Sequence, residues 1–355
     1  MKMLHFCLLF PSLLLAGADA SRENVTEFLE ATLPEKWEPW PPDIPESMIL
    51  RPVHPLLVDS VPIGPDSQLH ATEIADLYDV LFEFNRLWSK QRWMGTIAMQ
   101  NPVDAWSLQE LIFDRRPDVI VETGTMNGGG ALFYASLMKM YEFMAPDGTA
   151  SPGGAGANSN SSTSAAGPSQ LSSSPSFRPR IITVGNLPLD DASYGWVRDG
   201  ELAFGTCEAN QALCDNARTA QRSPLWKQMV SFIRGDCLSD EVWDQVQQKL
   251  AEFRKQKADL KVMVILDSTH HYLHVRKELA LYSRLVTSGQ YLLVQDTHLD
   301  KLRNMRQPGS NWEGAHAAIR EWFRYSDFAT QSFRVDKRRE YFIYTQHKDG
   351  YLLRM

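Results

Sequence analysis

Cysteine is scarce in this chain: four residues in 355, none in the C-x-x-C spacing that builds zinc ribbons. Cationic side chains are also in the minority, 36 against 43 acidic ones, for a net charge of −7. Without a basic surplus to neutralise phosphates, nucleic acid is not the expected partner. Long apolar runs are missing after the first twenty residues, so no stable membrane span is expected. Charge itself is missing from Gly148 to Phe177, a stretch made almost wholly of Gly, Ser, Ala, Pro, Asn and Thr. Such a composition cannot build a core, and residues 146–178 are expected to be a disordered low-complexity insertion.

The apolar run that does exist lies at the N-terminus. Residues 1–20 carry one lysine, an apolar stretch from Leu4 to Leu15, and then Ala18-Asp19-Ala20. This is the pattern of a cleaved signal peptide, too short to span a bilayer and interrupted by Pro11. It predicts entry into the secretory pathway, with the protein retained in the ER or Golgi lumen or secreted. Two N-glycosylation sequons agree, Asn24-Val25-Thr26 and Asn160-Ser161-Ser162. In an oxidising lumen Cys207 and Cys214 are close enough in sequence to close a small disulfide loop, leaving Cys237 as a buried thiol.

Residues 21–70 are rich in Pro, Glu and Trp and read as an extended lead-in. From Ala71 to Trp88 apolar residues recur at helical spacing, and a second helix is expected over 103–116. Pro117 stops it, and "DVIVET" then reads as a buried strand. The chain goes on to alternate. Strands are expected at 180–184, 229–235, in "KVMVILDS" and at 290–297. Helices are expected after "GTMNGGG", over 239–256 with Ser239 as N-cap, and in "YLHVRKELALYSRLV" and "EGAHAAIREWFRY". Residues 186–224 read as irregular, and "FATQSFRVDK" with "YFIYTQ" as a terminal strand pair. The alternation predicts a doubly wound α/β domain over 71–355, mostly parallel, with an antiparallel C-terminal strand.

In such sheets ligands bind beyond the carboxyl ends of the strands. The residues there are Glu122, Asp236, Asp267, Gln295 and Asp296, a set hard to explain as core. The turn Glu122–Gly130 follows a strand and opens a helix, as a cofactor loop must. Gly124 would allow a tight turn, and Gly128 and Gly129 the close approach of a ligand; packing is the competing explanation. Asp267, Gln295 and Asp296 close neighbouring strands, so their oxygens are candidates for a hard cation such as Mg²⁺ or Mn²⁺. If a helix starts near Ser268, His270 and His274 share one face, as metal ligands, as general bases, or as an ordinary polar helix start. An iron site drawing on Asp296 and His298 is a further arrangement.

Several blocks, "WMG", "NPVDAWSLQE", "PDVIVETGTMNGGGALF", "VMVILDSTHHYLHVRKELALYSRLVTSGQYLLVQDT" and "DGYLLRM", together resemble the cephalosporin hydroxylase/rhamnosyl O-methyltransferase family. The likeness runs from Trp93 to Met355. It implies a class I, S-adenosylmethionine (SAM)-dependent methyltransferase fold, a Mg²⁺ or related ion, and methyl transfer to a hydroxyl of a sugar or glycolipid-like small molecule. By that resemblance Glu122 and the 124–129 loop, Thr125 included, hold the methionine part of the cofactor. Asp236 lies near its adenine, Asp267, Gln295 and Asp296 hold the metal, and His270 or His274 serves the acceptor. The sequence departs from the family twice. Gln295 stands where a carboxylate is usual, and Gly185-Asn186 stands where an acid commonly binds the ribose, leaving Asn186 to do so. A catalytically inactive relative that binds a glycan or a protein partner is the alternative.

Overall fold

The structure is a computed structural model that describes residues 43–51, 60–64, 67–85, 87–144, 177–185, 193–198, 201–206, 219–306 and 313–355. The expected signal peptide, both sequons, Asn186, the Cys207–Cys214 pair and nearly all of the insertion lie outside them.

The described chain starts with strand β1 (Ile49–Leu50), a hairpin of β2 (Ser60–Gly64) and β3 (Ser67–His70), and helix α1 (Ala71–Phe84). A second small hairpin, β4 (Arg92–Trp93) with β5 (Thr96–Ile97), leads to α2 (Pro102–Arg115). The start of α2 follows from local chemistry: Asn101 accepts from Val103 N at 2.8 Å, and Pro102 occupies the first turn. Next come β6 (Val119–Thr123), α3 (Gly129–Met144), β7 (Arg180–Gly185) and a hairpin of β8 (Ser193–Arg198) with β9 (Glu201–Thr206). Helix α4 (Pro224–Met229), β10 (Val230–Arg234), α5 (Asp240–Arg254), β11 (Val262–Leu266), α6 (Tyr272–Tyr282) and β12 (Tyr291–Val294) continue the alternation. The chain closes with α7 (Leu299–Arg306), α8 (Ala315–Tyr325), α9 (Asp327–Ser332), β13 (Phe333–Asp336) and β14 (Tyr351–Arg354).

Eight strands form one sheet in the order β1-β13-β14-β12-β11-β6-β7-β10. All neighbours are parallel except β14, which runs antiparallel to both β12 and β13. This is the doubly wound sheet expected, antiparallel strand included. The central strands are buried on both faces, which is why they read as continuous apolar runs. Period-two alternation divides them between two cores. Val119, Val121, Val262, Val264, Leu266, Leu292 and Val294 pack with α5, α6 and α8. Ile120, Met263, Ile265, Tyr291 and Leu293 pack with α2, α3 and α4. Each side chain so buried is worth about 1.5–3 kcal/mol.

Four expectations need correction. The 186–224 stretch contains β8, β9 and the start of α4. Its hairpin had a local signal, the Asp199-Gly200 dipeptide between two alternating segments. "FAT" is helical, because Ser326 caps α9 by accepting from Ala329 N at 3.2 Å. "YFIYTQ" is not a strand: Tyr341, Phe342 and Ile343 are exposed, and the buried residues Tyr351 and Leu352 fill the sheet position instead. Finally, β1 pairs with β13, so the sheet recruits residues ahead of the expected boundary at 71. No helix among the described residues is long and apolar enough to cross a membrane.

Candidate active site

The strand order reverses between β6 and β11, and this switch point is where an open α/β sheet binds its ligand. Backbone hydrogen bonds carry the ladder one residue past each strand there. Asp267 N donates to Thr123 O at 3.1 Å, and Gln295 N donates to Leu266 O at 2.9 Å. The ends of β6, β11 and β12 are thereby held in fixed register.

Three side chains converge beyond these ends. Asp267, His270 and Asp296 offer ligand atoms that all lie within 4.8 Å of one another. His270 Nε2 is 3.3 Å from Asp296 Oδ2 and 3.9 Å from Asp267 Oδ1. All three are partly exposed, so the group is open to a ligand. His270 (φ 54°) and Asp296 (φ 57°) both adopt the left-handed backbone that non-glycine residues avoid. Such strain concentrates at functional sites. Burial, and next the facing charge of Asp296, push the Asp267 carboxyl well above its usual range.

Gln295 does not turn an oxygen toward this group. Buried at 2% exposure, it lies behind Asp267, and an amide oxygen facing a carboxylate would be repelled. The face of its amide turned to Asp267 also meets Gln100 Nε2 at 3.0 Å. Oriented to suit the carboxylate, its NH₂ donates to both Asp267 oxygens at 3.1 and 3.2 Å, and its oxygen accepts from Tyr134 OH at 3.2 Å. Glu122 is deeper still. It accepts from Thr183 Oγ1, which in turn accepts from Thr125 Oγ1 at 2.7 Å. Burial pushes the Glu122 carboxyl up to about 8, against the Thr183 hydrogen bond. Glu122 and Thr125 thus brace the turn from within.

The glycines of this turn answer mainly to packing. Gly124 has φ +91°, and a Cβ there would lie 1.8 Å from the Asp267 carbonyl oxygen. A Cβ on Gly128 would come within 2.9 Å of the Trp226 ring, and one on Gly129 within 2.1 Å of Ile97 O. The faces expected to admit a ligand are therefore covered by Trp226 and by the 97–98 backbone.

The two histidines part company. Helix α6 begins at Tyr272 with His271 as the capping position, so helical periodicity does not relate His270 to His274. His270 turns to the carboxylates; His274 Nε2 lies 3.2 Å from Cys237 Sγ. Asp236 lies two residues past β10, beside that cysteine and exposed, with Oδ1 accepting from Leu238 N at 3.0 Å. His298 does not join Asp296 in an iron site, because its Nε2 is turned to Glu83, 3.2 Å away, on α1. Burial works against its charge, but the Glu83 hydrogen bond and the nearby carboxylates raise it to about 9.

Tyr134, Thr183 and His347 escaped the sequence reading. His347 Nδ1 accepts the Asp296 backbone N–H at 3.1 Å and so helps to hold the left-handed turn. No local pattern marks it, since it comes from a loop fifty-one positions downstream.

The chain matches the sequence profile described as Rhamnosyl O-methyltransferase/CmcI over residues 85–179 and 207–355. It belongs to the rhamnosyl O-methyltransferase/CmcI family. Among curated relatives, the rhamnosyl O-methyltransferase of Mycobacterium tuberculosis (strain H37Rv) is 23% identical over 283 residues, covering 79% of this chain and 85% of that protein. The Mycobacterium leprae protein of the same name is 22% identical over 281 residues, covering 79% and 90%. Solved structures with a similar chain include CmcI with Mg and SAM, at 13% identity, TM-score 0.39 and coverage of 75% and 77%. Another is the O-methyltransferase TomG from Streptomyces achromogenes with SAM, at 14% identity, TM-score 0.32 and coverage of 65% and 68%. Membership in the rhamnosyl O-methyltransferase/CmcI family makes the protein an enzyme of the SAM-dependent O-methyltransferase class. Its sheet is of the class I kind expected.

Proposed function

We propose that this enzyme methylates a hydroxyl of a sugar or glycolipid-like acceptor, using SAM and a cation of the Mg²⁺ or Mn²⁺ class held by Asp267 and Asp296. The observation that carries the proposal is the convergence of Asp267, His270 and Asp296 at the switch point. Two facing carboxylates repel each other, and a hard cation between them would relieve that repulsion. The donor set fits such an ion, since it is oxygen-rich and open on one side. Bound there, the ion would lower the pKa of the acceptor hydroxyl and orient it.

The chain's own groups divide the remaining work. Gln295 points both Asp267 oxygens through its amide hydrogens, while Tyr134 holds that amide. His347 pins the Asp296 backbone. His270 Nε2, beside Asp296 Oδ2, is placed to take the hydroxyl proton. SAM would supply the methyl group, and by the family resemblance Glu122 and the 124–129 loop would hold its methionine part, with Glu122 and Thr125 setting the shape of that turn from behind. Support for a sugar acceptor comes from the names of the relatives, and support for a secretory-pathway location from the leader-like residues 1–20.

The test has two stages, because the covered glycines and the missing ribose acid bear on the cofactor first. Calorimetry of the full chain with SAM, with and without Mg²⁺, is expected to show binding; none under either condition overturns the proposal. Incubation with SAM and a panel of rhamnosides and other glycosides is then expected to give products heavier by one methyl group. Loss of that product in EDTA, with SAM still bound, would support the metal role, and undiminished product would refute it.

A further inference from the structure

The end of β10 carries a second cluster, separate from the group formed by Asp267, His270 and Asp296. Cys237 is free and buried, and its Sγ lies 3.2 Å from His274 Nε2 and 3.4 Å from Glu278 Oε1. Ligand atoms of Asp236, Cys237 and His274 all lie within 4.8 Å of one another. The arrangement is held from several sides. Tyr282 OH donates to the Cys237 carbonyl at 2.8 Å, Leu238 N donates to Asp236 Oδ1 at 3.0 Å, and Ser239 N donates to Asp236 O at 2.9 Å.

An independent observation comes from Glu278. Its side chain is fully buried, and among the described residues no lysine or arginine forms an ion pair with it. Its hydrogen-bond donors are neutral: the Ser268 hydroxyl at 2.8 Å and the Cys237 thiol. His274 Nε2 stands 3.8 Å away. Glu278 thus places a fully buried carboxyl oxygen beside both the thiol and the imidazole, a fourth donor within reach of a cation held by the other three.

The donor chemistry differs from that at Asp267. Thiol, imidazole and carboxylate suit a zinc-class ion and not Mg²⁺. Tetrahedral bonds of about 2.3 Å to sulfur and about 2.0–2.1 Å to nitrogen separate the two ligand atoms by about 3.6 Å. The observed 3.2 Å needs only a small opening.

We propose that Asp236, Cys237 and His274, backed by Glu278, form a second metal site for a zinc-class divalent cation, which ties the β10 end to helix α6. The proposal does not depend on SAM or on methyl transfer. On binding, the Cys237 S–H bond breaks, sulfur coordinates the ion, and the proton leaves to buffer. Affinity should therefore rise with pH, by up to about tenfold per unit for the single proton released. The site also claims Asp236, the residue that the resemblance assigned to the adenine.

Cobalt absorption tests it. Full-length protein is stripped with chelator and titrated with Co²⁺, then with Zn²⁺. The expected result is a thiolate-to-cobalt charge-transfer band that saturates at one equivalent and is bleached by Zn²⁺. Cys237→Ser and His274→Ala should abolish the band. Asp267→Asn, and a chain with Cys7, Cys207 and Cys214 all changed to Ser, should keep it. Absence of the band in the parent, or an unchanged band in Cys237→Ser, overturns the proposal. Should the single variants misfold by circular dichroism, X-ray absorption of the Zn²⁺-loaded chain lacking the other three cysteines decides. One bound sulfur is expected, and a shell of oxygen and nitrogen alone refutes the site.

Discussion

Gly124 and Asp267 stand so close that a Cβ on the glycine would lie 1.8 Å from the aspartate's carbonyl oxygen. The end of β6 and the first residue past β11 thus share one joint, and the carboxylate begins at that joint. Gly124→Ala is expected to cost about 2–4 kcal/mol, through left-handed strain and displacement of Asp267. Urea unfolding measures the loss. Calorimetry should show weaker Mg²⁺ binding in the protein that remains folded.

Asp296 and His270 should separate metal binding from proton transfer. Asparagine tolerates the left-handed backbone that both residues adopt, so Asp296→Asn and His270→Asn should fold like the parent. Asp296→Asn should weaken Mg²⁺ by more than the roughly 10–100-fold that loss of an outer-shell partner costs. His270→Asn should instead lower kcat by about 10²–10⁴-fold with Mg²⁺ affinity largely kept. Equal losses in both quantities for both variants would refute this division.

Glu122 should make stability fall as pH rises. Its carboxyl is raised from an ordinary 4.5 to about 8, so the folded chain retains a proton that the unfolded chain gives up. That contribution is complete below about pH 4.5 and is lost on the way to about pH 8. Glu122→Gln removes the dependence. The variant should gain on the parent across that window, by no more than about 5 kcal/mol, in denaturant midpoints measured at several pH values.

Asp349 should act in the opposite direction. Burial would raise its carboxyl, but the His316 hydrogen bond and the Lys337 charge outweigh that and hold it well below its usual range. His316 Nε2 is 3.0 Å away and Lys337 Nζ 2.6 Å. A depressed carboxyl stabilises above its unfolded value of 3.8, and the benefit disappears as pH falls through the folded value. Asp349→Asn, which suits the local φ of 59°, should cost about 3 kcal/mol at pH 7. The gap to the parent should close as acid unfolding is approached.

Much of this molecule was readable from local pattern, because the pattern has a local cause. A strand buried on both faces must be apolar throughout, and so β6, β11 and β12 stood out, with Glu122, Asp267 and Asp296 at their ends. Ser239 announced α5 by the same logic, since its hydroxyl accepts from Val242 N. The terminal strand was misplaced because "YFIYTQ" and "GYLLRM" carry similar apolar signals, and only burial distinguishes them.

The histidine stretch that follows β11 shows where local pattern stops. Sequence alone determined that a carboxylate would stand at the switch point with imidazoles nearby. Tertiary structure decided which imidazole serves it. The sign of φ at His270 and the late start of α6 send His270 to Asp296, and send His274 to Cys237 and Glu278. It also turned Gln295 inward, covered Gly128 with Trp226, and brought His347 to Asp296 from fifty-one positions away. Burial follows a short-range period that a chain displays along itself. The aim of a side chain past a strand end is set by partners that only the folded chain brings near.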